Sequence, residues 1–382
     1  MVENDYILVH DYFSLSYGGE GKAIDEFAGN YNVSFVSIRD TLGVAFVKNK
    51  GNAGRKKRMI LVRSPLRITL GGGGTDLPSY YEKREGFLIS AAIDKYVYIL
   101  LNRTFDDTLV LKYSRMEKVK DYRELRHPIV RETLKMLSLS GEPLEICSMA
   151  DIPAGTGLGS SSTFTTALLR SLHSYKGDFV GTRKLAEEAF EIEYTRLGEP
   201  VGKQDQYISA YGGINCMNIN KEGNVLIEPL RISNEILYNL EDNLVLFFTG
   251  YSHVAGELLG EQDKKSKEND EEMLKNLDLV KQMGYDSRAA LESGRLKDFA
   301  EIMNIHWQYK KKRSGGMSNQ KIDQWYEYAL QHGALGGKLI GAGGGGFLMF
   351  YAEDKVSLRK AMNDVGLEEV RFRFEMEGAK TI

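Results

Sequence analysis

The stretch ADIPAGTGLGSSSTFTTALLRSL, residues 150–172, sets glycines at 155, 157 and 159 ahead of three serines and an apolar-periodic run. Glycine lets backbone amides approach a ligand closely. A helix beginning at the serines would aim its free N–H groups and its positive dipole end at the same point. Phe164, Leu168, Leu172 and Tyr175 recur at i, i+4, i+8 and i+11, which predicts a helix with an apolar face. This is the make-up of an anion site at a helix N-terminus. It is also that of a plain strand-to-helix loop with a serine cap. The spacing matches neither the GxxxxGK(S/T) loop nor a GxGxxG dinucleotide fingerprint.

Composition narrows the classes. The 382 residues leave room for two domains, and 42% hydrophobic content, 27% charged content and a formal charge of −3 describe a globular chain with no bias toward nucleic acid. Cys147 and Cys216 stand far apart without metal-ligand spacing, which suits a reducing compartment and neither a disulfide framework nor a zinc site. No apolar run approaches the roughly 18 residues of a spanning helix. Glu3 and Asp5 occupy the place where a secretory signal carries positive charge. The expectation is a cytoplasmic protein with no nucleic-acid or membrane partner. Glycine is the outlier, concentrated at 71–74, 155–159 and 341–346.

Residues 1–50 read as a βαβ-like extension: a strand, a glycine loop, a helical pattern through Ala23, Phe27 and Ala28, and a second strand. Residues 51–58 are a basic linker. From Met59 strands alternate with helices, as in an α/β domain running to about residue 240. Past the buried-strand pattern at 243–252 the composition shifts to the charged run ELLGEQDKKSKENDEEMLKNLDLVKQMG, read most simply as a solvated helix face. Two more helices and two strands complete a second, α+β domain over 241–382.

Four further features bear on chemistry. Glu193 shares a helical stripe with Ala186, Phe190 and Leu197, and a carboxylate there needs a partner: Arg196, Lys203 or a metal such as Mg²⁺. Asp205, between two glutamines, is either a helix cap or, beside Lys203, a carboxylate poised to accept a proton from a hydroxyl. His306 falls in line with Phe299 and Met303, and is either a satisfied histidine on a helix face or a substrate contact. The cluster from Lys310 to Arg313 is either a solvated helix end or a clamp for a remote phosphate.

Taken in order, SPLRITLGGGGTD at 64–76, PAGTGLGSSS at 153–162 and KLIGAGGGGFLMF at 338–350 resemble the three motifs of the GHMP kinases. Within that superfamily, RSPLRITLGGGGTDLPSYY, VGKQDQYISAYGG and KKKRSGGMSN are most similar to D-glycero-D-manno-heptose 7-phosphate kinases. The resemblance spans residues 59–382. It implies a two-domain fold, with an N-terminal half like ribosomal protein S5 domain 2 and a ferredoxin-like C-terminal half. It implies ATP and Mg²⁺ as cofactors and a sugar phosphate as acceptor, and leaves a homodimer open. The implied ATP phosphate loop is Pro153, Gly155, Gly157, Leu158, Gly159, Ser160, Ser161 and Ser162, with Ser161 and Glu193 as metal ligands. Asp205 is the implied base, with Arg67 beside it. Gly73, Gly74, Thr75 and Asp76, together with Gly343, Gly344 and Gly345, are implied at the substrate. Lys311 and Arg313 are expected to clamp its remote phosphate.

Galactokinases carry an acidic residue and a histidine before the TD of their first motif, where this chain has only glycines, so the resemblance does not favour galactose. Fucose- or galactose-type acceptors and a non-catalytic sensor on the same fold are the alternatives. The head, residues 1–50, resembles the opening of a glycosyltransferase and is too short to be one; no activity is assigned to it.

Overall fold

The computed structural model describes residues 6–9, 33–37, 44–48, 59–251, 255–268, 270–313 and 316–382. They fall in two compact units, 1–58 and 59–382. In the first unit, β1 (Tyr6–Val9), β2 (Val33–Ser37) and β3 (Val44–Lys48) are short runs rich in Val, Ile and Phe, as strands prefer. They form one sheet in the order β1-β3-β2 with both pairings antiparallel. The sequence pattern anticipated β1 and β2 but not β3. The helical pattern through Ala23, Phe27 and Ala28 and the linker at 51–58 lie outside the described residues.

The second unit opens with β4 (Ile60–Gly71), α1 (Pro78–Arg84) and the 18-residue β5 (Gly86–Arg103). There follow β6 (Leu109–Lys112), β7 (Met116–Val119), α2 (Pro128–Met136) and β8 (Leu144–Ala150). Next come α3 (Ser160–Lys176), α4 (Thr182–Phe190), α5 (Gln204–Tyr211), β9 (Ile214–Ile219) and β10 (Val225–Pro229). β5 is the spine: it pairs with β4 along one side and, on the other, with β9 at its start and β8 at its end. In this sheet only β6 and β8 run parallel. Where β4 reaches Pro65, which has no N–H to give, the register shifts against β5. Two residues on, the Arg67 N–H turns to the Leu158 carbonyl at 3.1 Å, which ties the 150–159 loop to the sheet.

α3 is buried round most of its circumference rather than on one face. The reason is position: it packs on β4 and β5 and against α4 and α5. Its threonines are satisfied locally, Thr165 and Thr166 donating to the carbonyls of Ser161 and Ser162. Gly177 ends it in the left-handed conformation, φ 79°.

The chain continues through α6 (Asn234–Asn243), β11 (Leu244–Phe248), α7 (Ala255–Lys267), α8 (Glu271–Glu292), α9 (Leu296–Lys311) and α10 (Gln320–Gln331). β12 (Gly336–Leu339), β13 (Phe347–Tyr351), α11 (Lys355–Asp364), β14 (Glu368–Glu369) and β15 (Lys380–Thr381) complete it. A second sheet has the order β12-β13-β11-β14, antiparallel throughout. The charged run beyond residue 255 is two helices, not one solvated face. Asp270 caps the second, accepting from the Met273 N–H at 3.0 Å, and Met273, Leu274, Leu277 and Val280 are buried. β15 crosses back to the first sheet and pairs with β4. No helix among the described residues is long and apolar enough to cross a membrane.

Candidate active site

Two of the glycine clusters lie against each other. A Cβ on Gly157, φ 84°, would fall 2.8 Å from the Ile340 carbonyl, and one on Gly341 would overlap Gly157 itself. The 153–159 and 340–346 loops thus meet backbone to backbone, which only glycine permits. Part of the glycine clustering answers to this packing.

Beneath the loop, Arg67 meets Asp205 with two parallel bonds, Nε to Oδ1 at 2.7 Å and Nη2 to Oδ2 at 2.8 Å. Its remaining terminal nitrogen donates to the Gly157 carbonyl at 2.6 Å. Asp205 stands in the first turn of α5, whose N-cap is Lys203, so it is not the cap. Nor is Lys203 its partner; that ammonium pairs with Glu187 at 3.0 Å. A quarter of the Asp205 side chain is exposed against 8% for Arg67, so the carboxylate is the open side of the pair.

Glu193 lies in a π-helical turn, Glu191–Arg196, that extends α4. It is 1% exposed. Ser161 Oγ donates to its Oε1 at 2.7 Å and Gln206 Nε2 to its Oε2 at 2.7 Å. Neither anticipated cation reaches it: Arg196 pairs with Glu191 and Lys203 with Glu187. Burial pushes the Glu193 carboxyl up from its ordinary range, against the hydrogen bonds from Ser162, Ser161 and Gln206. A buried carboxylate that lacks a cation, beside a hydroxyl at a helix N-terminus, fits a hard divalent ion. Among the described residues no three His, Cys, Asp or Glu side chains cluster to hold a metal, so such an ion would need oxygens from a bound phosphate.

Next to Asp205 a cavity of about 110 Å³ opens between β4, the first glycine motif, α9 and β12. Asp76 is one wall. Its Oδ2 accepts from the Gln204 N–H at 3.1 Å and its Oδ1 from the Gly74 N–H at 3.2 Å. Burial, then repulsion from Asp205, raises its pKa. The opposite wall is cationic: His306, Lys310, Arg313 and Lys338 all line it and all are buried. Lys338 Nζ donates to the Leu70 carbonyl at 2.8 Å and Lys310 Nζ to those of Leu339 and Gly341. Arg313 Nη1 donates to the Gly73 carbonyl at 3.2 Å, while its Nη2 and His306 Nε2 are buried without a partner among the described residues. Burial, then the charge of Arg313, depresses both lysines, Lys310 well below its ordinary value and Lys338 to about 7. Burial brings Arg313 down to about 10. Burial, then Lys338, Arg313 and Lys310, holds His306 well below its ordinary range.

Of the residues expected at the substrate, Gly73, Gly74, Asp76 and Arg313 line this cavity. Thr75 does not: its hydroxyl is buried on the carbonyls of Gly72 and Phe87. Gly343 and Gly344 pack on Met317, and Gly345 is not in the cavity wall. Lys311 points elsewhere, to Asp323 at 3.4 Å and the Trp307 ring. His306 is no satisfied helix-face residue. Lys338 and Gln262 were not singled out in the sequence, and Lys310 only as the first member of the basic cluster that ends at Arg313. For Lys338 the signal was present, a lysine inside the apolar strand GGKL. For Gln262, in the charged run, there was none; it donates to the Gly74 carbonyl at 3.1 Å.

Two family models match, the GHMP kinase N-terminal domain over residues 128–213 and the GHMP kinase C-terminal domain over 287–368. The D-glycero-alpha-D-manno-heptose 7-phosphate kinase of Campylobacter jejuni is 32% identical, covering 85% of this chain and 99% of that protein. This chain is a GHMP kinase. The two-domain GHMP fold expected from the motifs is the one observed. A solved structure titled D-glycero-D-manno-heptose 1-phosphate kinase, from Bacteroides thetaiotaomicron, superposes with TM-score 0.70 at 27% identity, over 85% of this GHMP kinase and 98% of that chain. Lactococcus lactis galactokinase, solved with galactose, superposes at TM-score 0.68 with 20% identity over 86% and 97% of the two chains, a likeness of fold alone.

Proposed function

We propose that this GHMP kinase transfers the γ-phosphoryl group of ATP to the anomeric hydroxyl of a sugar phosphate, D-glycero-D-manno-heptose 7-phosphate, giving the 1,7-bisphosphate. Residues 59–240 serve as the ATP-binding domain and 241–382 as its partner, with the enzyme at work in the cytoplasm. The observation that carries this reading is the Arg67–Asp205 pair. A carboxylate is gripped from behind by a guanidinium that also holds the glycine loop, and its open side meets a cavity lined by Asp76 and buried cations.

In this reading Asp205 takes the proton of the acceptor hydroxyl, and Arg67 fixes its two oxygens for that task. Asp76 accepts from sugar hydroxyls. The loop from Pro153 to Ser162 binds the ATP phosphates through its amides and the N-terminus of α3. Ser161 and Glu193 would hold Mg²⁺, which when bound supplies charge neutralisation for phosphoryl transfer.

The test is ADP release across a panel of free heptose, heptose 7-phosphate, fucose, galactose and mevalonate. Turnover highest on heptose 7-phosphate is expected. ADP release on another acceptor alone would overturn the assignment.

A further inference from the structure

The cationic wall has more charge than the reacting groups use. Asp205 already matches Arg67, so Lys310, Arg313 and Lys338 face a single carboxylate, Asp76. Among the described residues none of the three forms an ion pair; their partners are backbone carbonyls and the side chains of Asn276 and Gln262. Buried cations held only by neutral dipoles are costly, and they persist where an anion completes the site. An anion bound among them favours the protonated form of all three, and in that state the excess over Asp76 is two positive charges. A sugar carboxylate would leave one of them unmatched, whereas a phosphomonoester dianion matches both. Two buried nitrogens could donate to it as well, Arg313 Nη2 and, in its Nε2–H tautomer, His306 Nε2.

We propose that His306, Lys310, Arg313 and Lys338 form a dianion subsite that binds the acceptor's own phosphomonoester and selects phosphorylated over free sugar. The proposal rests on the kinase reading above and makes it specific. The 7-phosphate clamp is then the inward-facing Lys310 and Arg313 with Lys338 from β12, and Lys311 has no part in it. The rival source of the same chemistry is the donor's γ-phosphate, since Lys310 also bonds the Gly341 carbonyl in the loop that packs on Gly157.

The experiment compares kcat/KM on heptose 7-phosphate and on free heptose for wild type, Lys338→Met, Arg313→Lys and Lys311→Ala. Arg313→Lys keeps the charge and removes the fork, and Lys338→Met matches size and suits burial; thermal melts confirm folding. The ratio of the two kcat/KM values should fall by about 10- to 100-fold in Lys338→Met and Arg313→Lys. It should stay within about two-fold in Lys311→Ala. Equal losses on both acceptors, or a raised KM for ATP with the ratio unchanged, would overturn the proposal. Calorimetry with inorganic phosphate, with a non-hydrolysable ATP analogue saturating the donor site, decides the subsite independently of turnover. Binding to wild type and at least about 10-fold weaker binding to Lys338→Met is expected. Equal binding, or none once the analogue is bound, refutes the subsite. If wild type turns over neither heptose, the acceptor assignment fails, while this binding result still stands or falls alone.

Discussion

Arg67 holds Asp205 at two points and the glycine loop at a third, so one side chain sets the distance between that carboxylate and the loop. Asp205→Asn keeps the shape and removes the proposed proton acceptor. It should lower kcat by about 10²–10⁴ with KM for ATP within about two-fold. Steady-state kinetics check this, and near-normal turnover would remove Asp205 from the base role. Arg67→Lys, which has no fork to offer, should lower kcat as well.

Glu193 gives a pH signature. Its carboxyl is raised in the folded protein, so the native state holds more protons than the unfolded chain at pH values just above the ordinary 4.5. Stability of the metal-free enzyme therefore falls as pH rises through that window, and Glu193→Gln should flatten the slope. Urea titrations from pH 4 to 8 measure it. The same variant should require more Mg²⁺ for half-maximal activity, and an unchanged metal requirement would argue against Glu193 as a ligand.

Lys338 gives the opposite sign. Its ammonium is depressed from 10.5 to about 7, so between those values the unfolded chain binds the extra proton and stability rises with pH. The groups that share the cavity with it are Arg67, Asp76, Asp205, His306, Lys310 and Arg313. A bound dianion favours the charged ammonium, so sugar phosphate should bind with proton uptake at pH 8. Calorimetry in two buffers of different ionisation enthalpy should reveal the uptake, and it should vanish in Lys338→Met.

Gly157 and Gly177 both have positive φ, but only one is crowded. Nothing lies within 4 Å of a Cβ on Gly177, whereas one on Gly157 meets Ile340 and Gly341. Gly177→Ala should cost about 1 kcal/mol and Gly157→Ala about 2–5 kcal/mol, the excess being overpacking. Denaturation midpoints at equal m-value separate them. Equal costs would show that the loops yield without strain.

The glycine clusters and the strand-helix alternation made the fold legible from residues 59 onward, because these patterns are local. That Arg67 stands beside Asp205 and Ser161 beside Glu193 was legible through motif order. The rest of their surroundings was not: nothing in the spacing told that Lys203 would turn to Glu187, or that Gln206 would stand at Glu193 where a cation was expected. The cationic wall was hidden for a similar reason: His306, Lys310 and Arg313 come from one helix and its end, Lys338 from a strand, and only packing brings them round one space. The helix pattern pointed to Lys311 because charge alone does not tell which face of α9 turns inward.

β15 pairs with the side of β4 that β5 does not cover, at Val62 and Arg63. Translation delivers that strand after both sheets have otherwise been synthesised. On the ribosome the amino-terminal half therefore waits with a bare β4 edge, a surface prone to pairing with other chains until it is covered. The first strand of this sheet to be made is thus the last to have its outer edge paired.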